Sequence, residues 1–212
     1  MSIKSIYIKN IVAFKYINIE FHSNVSILIG ANGTGKTMAL KAIYNKIKDI
    51  KPGEHDIIPE RLDIEYSKDH KPGQVWMMEE DVNERWLDIQ LQNLFAIDEK
   101  TRKKALKIAG ELNTWKKKKY KEFRFISDTW GLSYGEKKLL MIATWLACAK
   151  EGDMIILDQP ENGLHIAVQD ELIDLIEDKK GVQAIIVTHS PHILNGHFDE
   201  LADTPMNPKG SE

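Results

Sequence analysis

Gly30-Ala31-Asn32-Gly33-Thr34-Gly35-Lys36-Thr37 is the stretch that decides the fold. It fits G-x-x-x-x-G-K-[ST] at every fixed position. Glycines at those places let the backbone curl until successive N–H groups point inward at phosphate oxygens. The helix that follows turns its positive dipole end to the same anion. Asn32, Gly33, Thr34, Gly35, Lys36 and Thr37 are therefore expected to cradle a nucleoside triphosphate. Lys36 reaches the β- and γ-phosphates, and the Thr37 hydroxyl ligates Mg²⁺. At ordinary glycine content, a chance match in a chain of this length has odds of roughly one in a hundred.

The flanking pattern is what such a loop needs. Val25 to Ile29 is a short apolar run ending at Gly30, the mark of a buried strand. From Gly35 the period changes, and Met38, Leu40, Ala42, Ile43 and Ile47 predict a helix that ends near Pro52-Gly53. Upstream, Ile3 to Lys9 and Tyr16 to Phe21 alternate apolar and polar residues around a turn at Asn10 to Lys15. Downstream, Ser133 to Lys150 reads as a helix, Met154 to Leu157 as a buried strand, His165 to Lys179 as a helix and Val182 to Val187 as a third buried strand. Strands alternating with helices predict an α/β fold: a mainly parallel sheet flanked by helices, with ligands at the carboxyl ends of its strands. Residues 54–125 read as an insertion in a single domain spanning 1–212. It carries strands at Arg61 to Tyr66 and Gln74 to Met78, a helix around Trp86 to Phe95 and a lysine-rich helix from Thr101 to Tyr120.

Three further constellations sit at strand ends or helix starts. Asp158 tips the apolar run Met154-Ile155-Ile156-Leu157, where a carboxylate holds Mg²⁺. Gln159 follows; its amide orients a water but cannot take its proton. Ser133 and Glu136 form a capping box, S-x-x-E, which by itself marks a well-capped helix. His189 ends the third buried strand, where an imidazole can hydrogen-bond a γ-phosphate and sense its loss.

In this order the motifs resemble the ABC-type P-loop NTPases. Leu132-Ser133-Tyr134-Gly135-Glu136 resembles the signature motif usually written LSGGQ, with Tyr134 in place of a glycine. The resemblance implies that Ser133 and Gly135 bind the γ-phosphate held by another subunit, so two copies meet head to tail as a homodimer around two Mg-ATP. The opening Ile6-Tyr7-Ile8-Lys9-Asn10 and the run Asp158-Gln159-Pro160-Glu161-Asn162-Gly163-Leu164-His165 are similar to the SMC, RecF and OLD-type group, including stand-alone AAA-type ATPases of bacterial phage defence. Such a fold adds an antiparallel β-subdomain and a helical insertion to the parallel sheet. The group usually carries Glu at position 159, as the base that activates water. Gln159 thus implies an ATPase impaired in hydrolysis, either a Glu→Gln form or a naturally slow switch. Lys36, Gln159 and His189 are the catalytic candidates. Asn162 to His165 would be the D-loop along the dimer seam. Gln74 is the best-placed Q-loop candidate, with Gln90 and Gln92 open. Phe14 or Tyr16 lies near the adenine or in the core. The resemblance implies a separate effector, a nuclease or toxin in anti-phage defence. The alternatives are a DNA-repair or chromosome-maintenance ATPase and a transporter's nucleotide-binding subunit.

Composition bounds the rest. The net charge is −3 over 212 residues, but Lys100 to Arg124 holds eleven Lys or Arg against two Glu. That excludes a uniformly basic nucleic-acid-binding domain and leaves a local basic element, which would contact nucleic acid or an acidic partner, or face Glu79 to Asp88 as a solvated helix. A single cysteine, Cys148, reads as a packed thiol and allows no intrachain disulfide. No apolar run reaches the roughly 18 residues of a membrane span. The N-terminus lacks a secretory signal, so a cytoplasmic protein with no membrane contact is expected.

Overall fold

The computed structural model describes residues 3–12, 14–21, 24–30, 33–54, 56–67, 71–80, 82–112 and 130–194. β1 (Ile3–Ile11) and β2 (Phe14–Glu20) form an antiparallel hairpin, and β4 (Arg61–Tyr66) pairs antiparallel with the other edge of β1. The register shifts between Ile3 and Ser5, so Ile3 joins Ile6, Ile8 and Ile11 on the buried face despite its odd spacing. The second sheet is all parallel. Its strands, in spatial order, are β3 (Val25–Leu28), β7 (Gln183–Val187), β6 (Met154–Asp158) and β5 (Val75–Met78).

Each parallel strand feeds two cores, because successive side chains point to opposite faces. Ile155 and Leu157 of β6, with Ala184 and Ile186 of β7, pack under two helices, α4 (Tyr134–Cys148) and α5 (Ile166–Glu177). Met154, Ile156, Ile185 and Val187 face the other way. There they meet Leu40 and Ile43 of α1 (Lys36–Lys48) and the isoleucines of the antiparallel sheet. The two sheets are tied at one corner by Gln183, whose amide accepts from the Ile3 N–H at 2.7 Å and donates to the Ile3 carbonyl at 2.8 Å. A third core joins α2 (Glu84–Ala96) and α3 (Glu99–Leu112) to the outer side of α4. With apolar neighbours on both sides, α4 is buried from Lys137 to Leu146, which explains its unbroken apolar run.

The strands of 54–125 do not stay together. β4, half-buried in alternation, completes the antiparallel sheet, while the more apolar β5 becomes an edge of the parallel one. Among the described residues of 54–125, α2 and α3 are the elements that stand outside the sheets. The expected lysine-rich helix is described to Leu112; Lys116 to Lys119, Lys121 and Arg124 lie outside the described residues. Lys103 and Lys107 of α3 pair with Glu99 and Glu111 of their own helix, at 2.6 and 3.6 Å. Among the described residues of the acidic stretch, Glu79 pairs with Lys41 at 2.9 Å, and Glu84 and Asp88 both pair with Lys137 at 2.7 Å. Cys148 is half-buried at the end of α4 rather than in the core. Among the described residues no helix is long and apolar enough to cross a membrane.

Candidate functional site

The turn from β3 into α1 forms the floor of a cleft of about 290 Å³. Gly35 caps α1 in the left-handed region, φ 101°, and a Cβ there would come within 2.7 Å of the Val12 side chain. Both the conformation and the space require glycine. Gly33, Gly35, Lys36 and Thr37 line the cleft from one side; Glu80, Gln159 and His189 line it from the carboxyl ends of β5, β6 and β7. Thr34 is half-buried in the same turn, and Asn32 lies outside the described residues.

Lys36 is buried and donates from Nζ to the Gly30 carbonyl at 2.8 Å. Burial lowers its pKa below the ordinary lysine value, against the opposing pull of Asp158 and Glu80. Asp158 is fully buried at the tip of β6, and neither of its carboxylate oxygens has a hydrogen-bond partner among the described residues. Burial pushes its pKa above the usual carboxylate range, with Glu80 and Glu79 adding to the shift; the neighbouring Thr37 hydroxyl and Lys36 oppose it. A buried carboxylate with both oxygens orphaned, next to a threonine hydroxyl, is a donor set for a hard cation. Among the described residues no three His, Cys, Asp or Glu side chains converge to hold a metal alone. A cation there would complete its shell with oxygens of water or a ligand, as Mg²⁺ does with waters and phosphates.

Gln159 follows Asp158 with φ 45°, unusual for a residue with a side chain. Its backbone is held from three directions. The N–H donates to the Val187 carbonyl at 2.8 Å, while the carbonyl accepts from the Asn162 N–H at 3.2 Å and from Lys138 Nζ at 3.1 Å. Lys138 is fully buried and donates also to the Asn162 carbonyl at 3.2 Å. Two carboxylates near the cleft carry no role at the site in the sequence reading, which expects the Glu161 side chain to point away from it. Glu161 accepts from the His189 N–H at 2.8 Å, joining the loop after β6 to the loop after β7. Glu80 lines the cleft itself, and Asn162 donates to it at 3.4 Å.

Ser133 and Gly135 are not among the residues of the cleft. Ser133 is exposed at the tip of α4; its hydroxyl accepts from the Glu136 N–H at 3.4 Å, and the Glu136 carboxylate accepts from the Ser133 N–H at 2.8 Å. Gly135 is buried against the 161–164 loop, where a Cβ would collide with the Gly163 carbonyl. Gln74, the leading Q-loop candidate, is misplaced. It precedes β5 at the end remote from the cleft, its N–H bonded to Asp153 at 2.7 Å. β5 runs toward the site, so the position at its carboxyl end belongs to Glu79 and Glu80. Gln90 and Gln92 sit within α2.

Residues 59–195 match the family described as "AAA domain, putative AbiEii toxin, Type IV TA system". An uncharacterized ABC transporter ATP-binding protein of Methanocaldococcus jannaschii is 26% identical over 210 residues, covering 93% of this chain and 81% of that protein. The methionine import ATP-binding protein MetN of Staphylococcus haemolyticus is 27% identical over 92% of this chain, which spans 58% of that protein. Among solved structures, an SMC head bound to the C-winged helix domain of ScpA has a TM-score of 0.60 at 13% identity, over 99% of both chains. A nucleotide-free ATP-binding cassette from an ABC transporter gives 0.58 at 20% identity, over 96% of this chain and 90% of that one. These two likenesses are of fold. On the match over residues 59–195, the chain belongs to this AAA-domain family, and it shares its two-sheet fold with ATP-binding cassettes and SMC heads.

Proposed function

We propose that this chain binds Mg-ATP in the cleft, closes head to tail on a second copy around two nucleotides, and through that cycle controls a separate effector, a nuclease or toxin of bacterial anti-phage defence. The observation that carries the ATP reading is Asp158, a buried carboxylate without partners beside the phosphate loop. Lys36 would leave the Gly30 carbonyl for the β- and γ-phosphates. Thr37 and Asp158 would hold Mg²⁺, which neutralises charge on the phosphate oxygens. The N–H groups of Gly33 to Thr37 and the α1 dipole would bind the remaining oxygens. Gln159 would orient the attacking water and His189 would hydrogen-bond the γ-phosphate. On position 159 alone, turnover is slow, because an amide takes no proton.

The dimer reading rests on separation. Ser133 is exposed and does not line the phosphate-loop cleft of its own protomer, which leaves its hydroxyl and the α4 dipole for a second copy's phosphates. The effector reading rests on the family description, which names a toxin system. Two other readings have an observation each: relatives named as transport subunits and the fold likeness to SMC heads. Co-purification with a hydrophobic membrane partner would favour the first. Hydrolysis stimulated by DNA would favour the second, and would implicate the basic segment in nucleic-acid contact if binding weakened steeply with salt.

The decisive experiment is sizing by light scattering with and without Mg-ATP. The unaltered chain should double in mass with Mg-ATP, and Lys36→Ala should remain a single copy. A single copy at saturating nucleotide would refute the dimer.

A further inference from the structure

The carboxylate missing from position 159 stands one strand away. β5 pairs in parallel with β6, Met78 opposite Leu157. The pairing ends there, so Glu79 and Glu80 leave the carboxyl end of β5 beside the carboxyl end of β6, where Asp158 and Gln159 follow Leu157. The two glutamates part company there. Glu79 is exposed and forms its ion pair with Lys41 on α1 at 2.9 Å. Glu80 is half-buried, lines the cleft beside Lys36, Thr37, Gln159 and His189, and is steadied by the Asn162 amide. Glu161, a further acid near the site, is already turned onto the His189 N–H.

We propose that Glu80 is the general base of ATP hydrolysis in this chain, doing from the end of β5 what Gln159 cannot do from the end of β6. The inference rests on the ATP reading above. In the step, the oxygen of a water held by Gln159 bonds to the γ-phosphorus. The bond from that phosphorus to the bridging oxygen breaks, and ADP leaves with its electron pair. The proton released by the water passes to the Glu80 carboxylate and then to solvent. No redox partner is needed. The chain is then a working ATPase rather than a trapped one.

The test compares phosphate release and ATP affinity for the unaltered chain, Glu80→Gln, Gln159→Glu and the double variant, with excess enzyme so that one turnover is read. Glu80→Gln should slow phosphate release by about 10²–10⁴-fold, the usual effect of losing a general base. Its ATP affinity should be kept or raised, since a negative charge near the phosphates is removed. Adding Gln159→Glu to Glu80→Gln should restore release. Three results would overturn the assignment: Glu80→Gln releasing phosphate within about threefold of the unaltered rate, Glu80→Gln losing Mg-ATP binding as a metal ligand would, or an unaltered chain that binds ATP and releases no phosphate. If no form bound ATP, the nucleotide reading itself would fall, and this inference with it.

Discussion

At the scale of single residues, Asp158 is a buried carboxylate that works against the stability of its own fold. Its folded pKa lies above its unfolded value. Its contribution to stability is therefore fully present below the unfolded pKa and lost as pH rises through the folded one. Near neutral pH the buried carboxylate opposes folding. Asp158→Asn should raise the stability of the nucleotide-free protein at pH 7 by about 1–3 kcal/mol, the scale of an unsatisfied buried polar group. The gain should vanish in acid, and Mg²⁺-dependent ATP binding should be lost. Urea unfolding at pH 7 and pH 4, beside an ATP titration, checks all three. Lys36, Thr37 and Asp158 were legible because each lies in a contiguous motif with a known chemistry. Glu80 was not. What brings it to the cleft is a strand register between positions 78 and 157, and no local pattern records that pairing. The Glu161 bond to the His189 backbone escaped for the same reason.

At the scale of elements, α4 combines two demands at one end. Ser133 caps it, and Gly135 admits the backbone of Gly163. Ser133→Ala should cost about 1 kcal/mol of stability as a lost cap. Gly135→Ala should cost about 1–3 kcal/mol as an overpacked contact. If the tip also meets a second copy's nucleotide, both should weaken ATP-dependent dimerisation by more than thermal stability accounts for. Melting curves and sizing on the same samples separate the two effects. The helix itself was plain in the sequence, from its capping box and apolar run. The partners of β4 and β5 were not, because a four- or six-residue strand carries its burial pattern but not its neighbour. Gln74 was misjudged on that account: strand direction, not sequence proximity, decides which end faces the ligand.

At the scale of the whole molecule, Gln183 is a buried polar tie between the two sheets. Gln183→Ala would strand both the N–H and the carbonyl of Ile3. A loss of about 1–3 kcal/mol is expected, read as a lower urea midpoint with an unchanged slope. The α/β class was legible from strand–helix alternation and the phosphate loop. The division of labour between sheets was not, since it depends on which apolar faces find each other. One inward-facing ammonium has a wider consequence. Lys138 leaves α4 less than two turns from its exposed tip and grips the carbonyls of Gln159 and Asn162. One side chain thus ties the tip of α4 to the backbone of Gln159, which lines the cleft of the same protomer. If two copies meet head to tail as proposed, this lysine would link the nucleotide that a copy caps with its α4 tip to the cleft at the other end of the same copy.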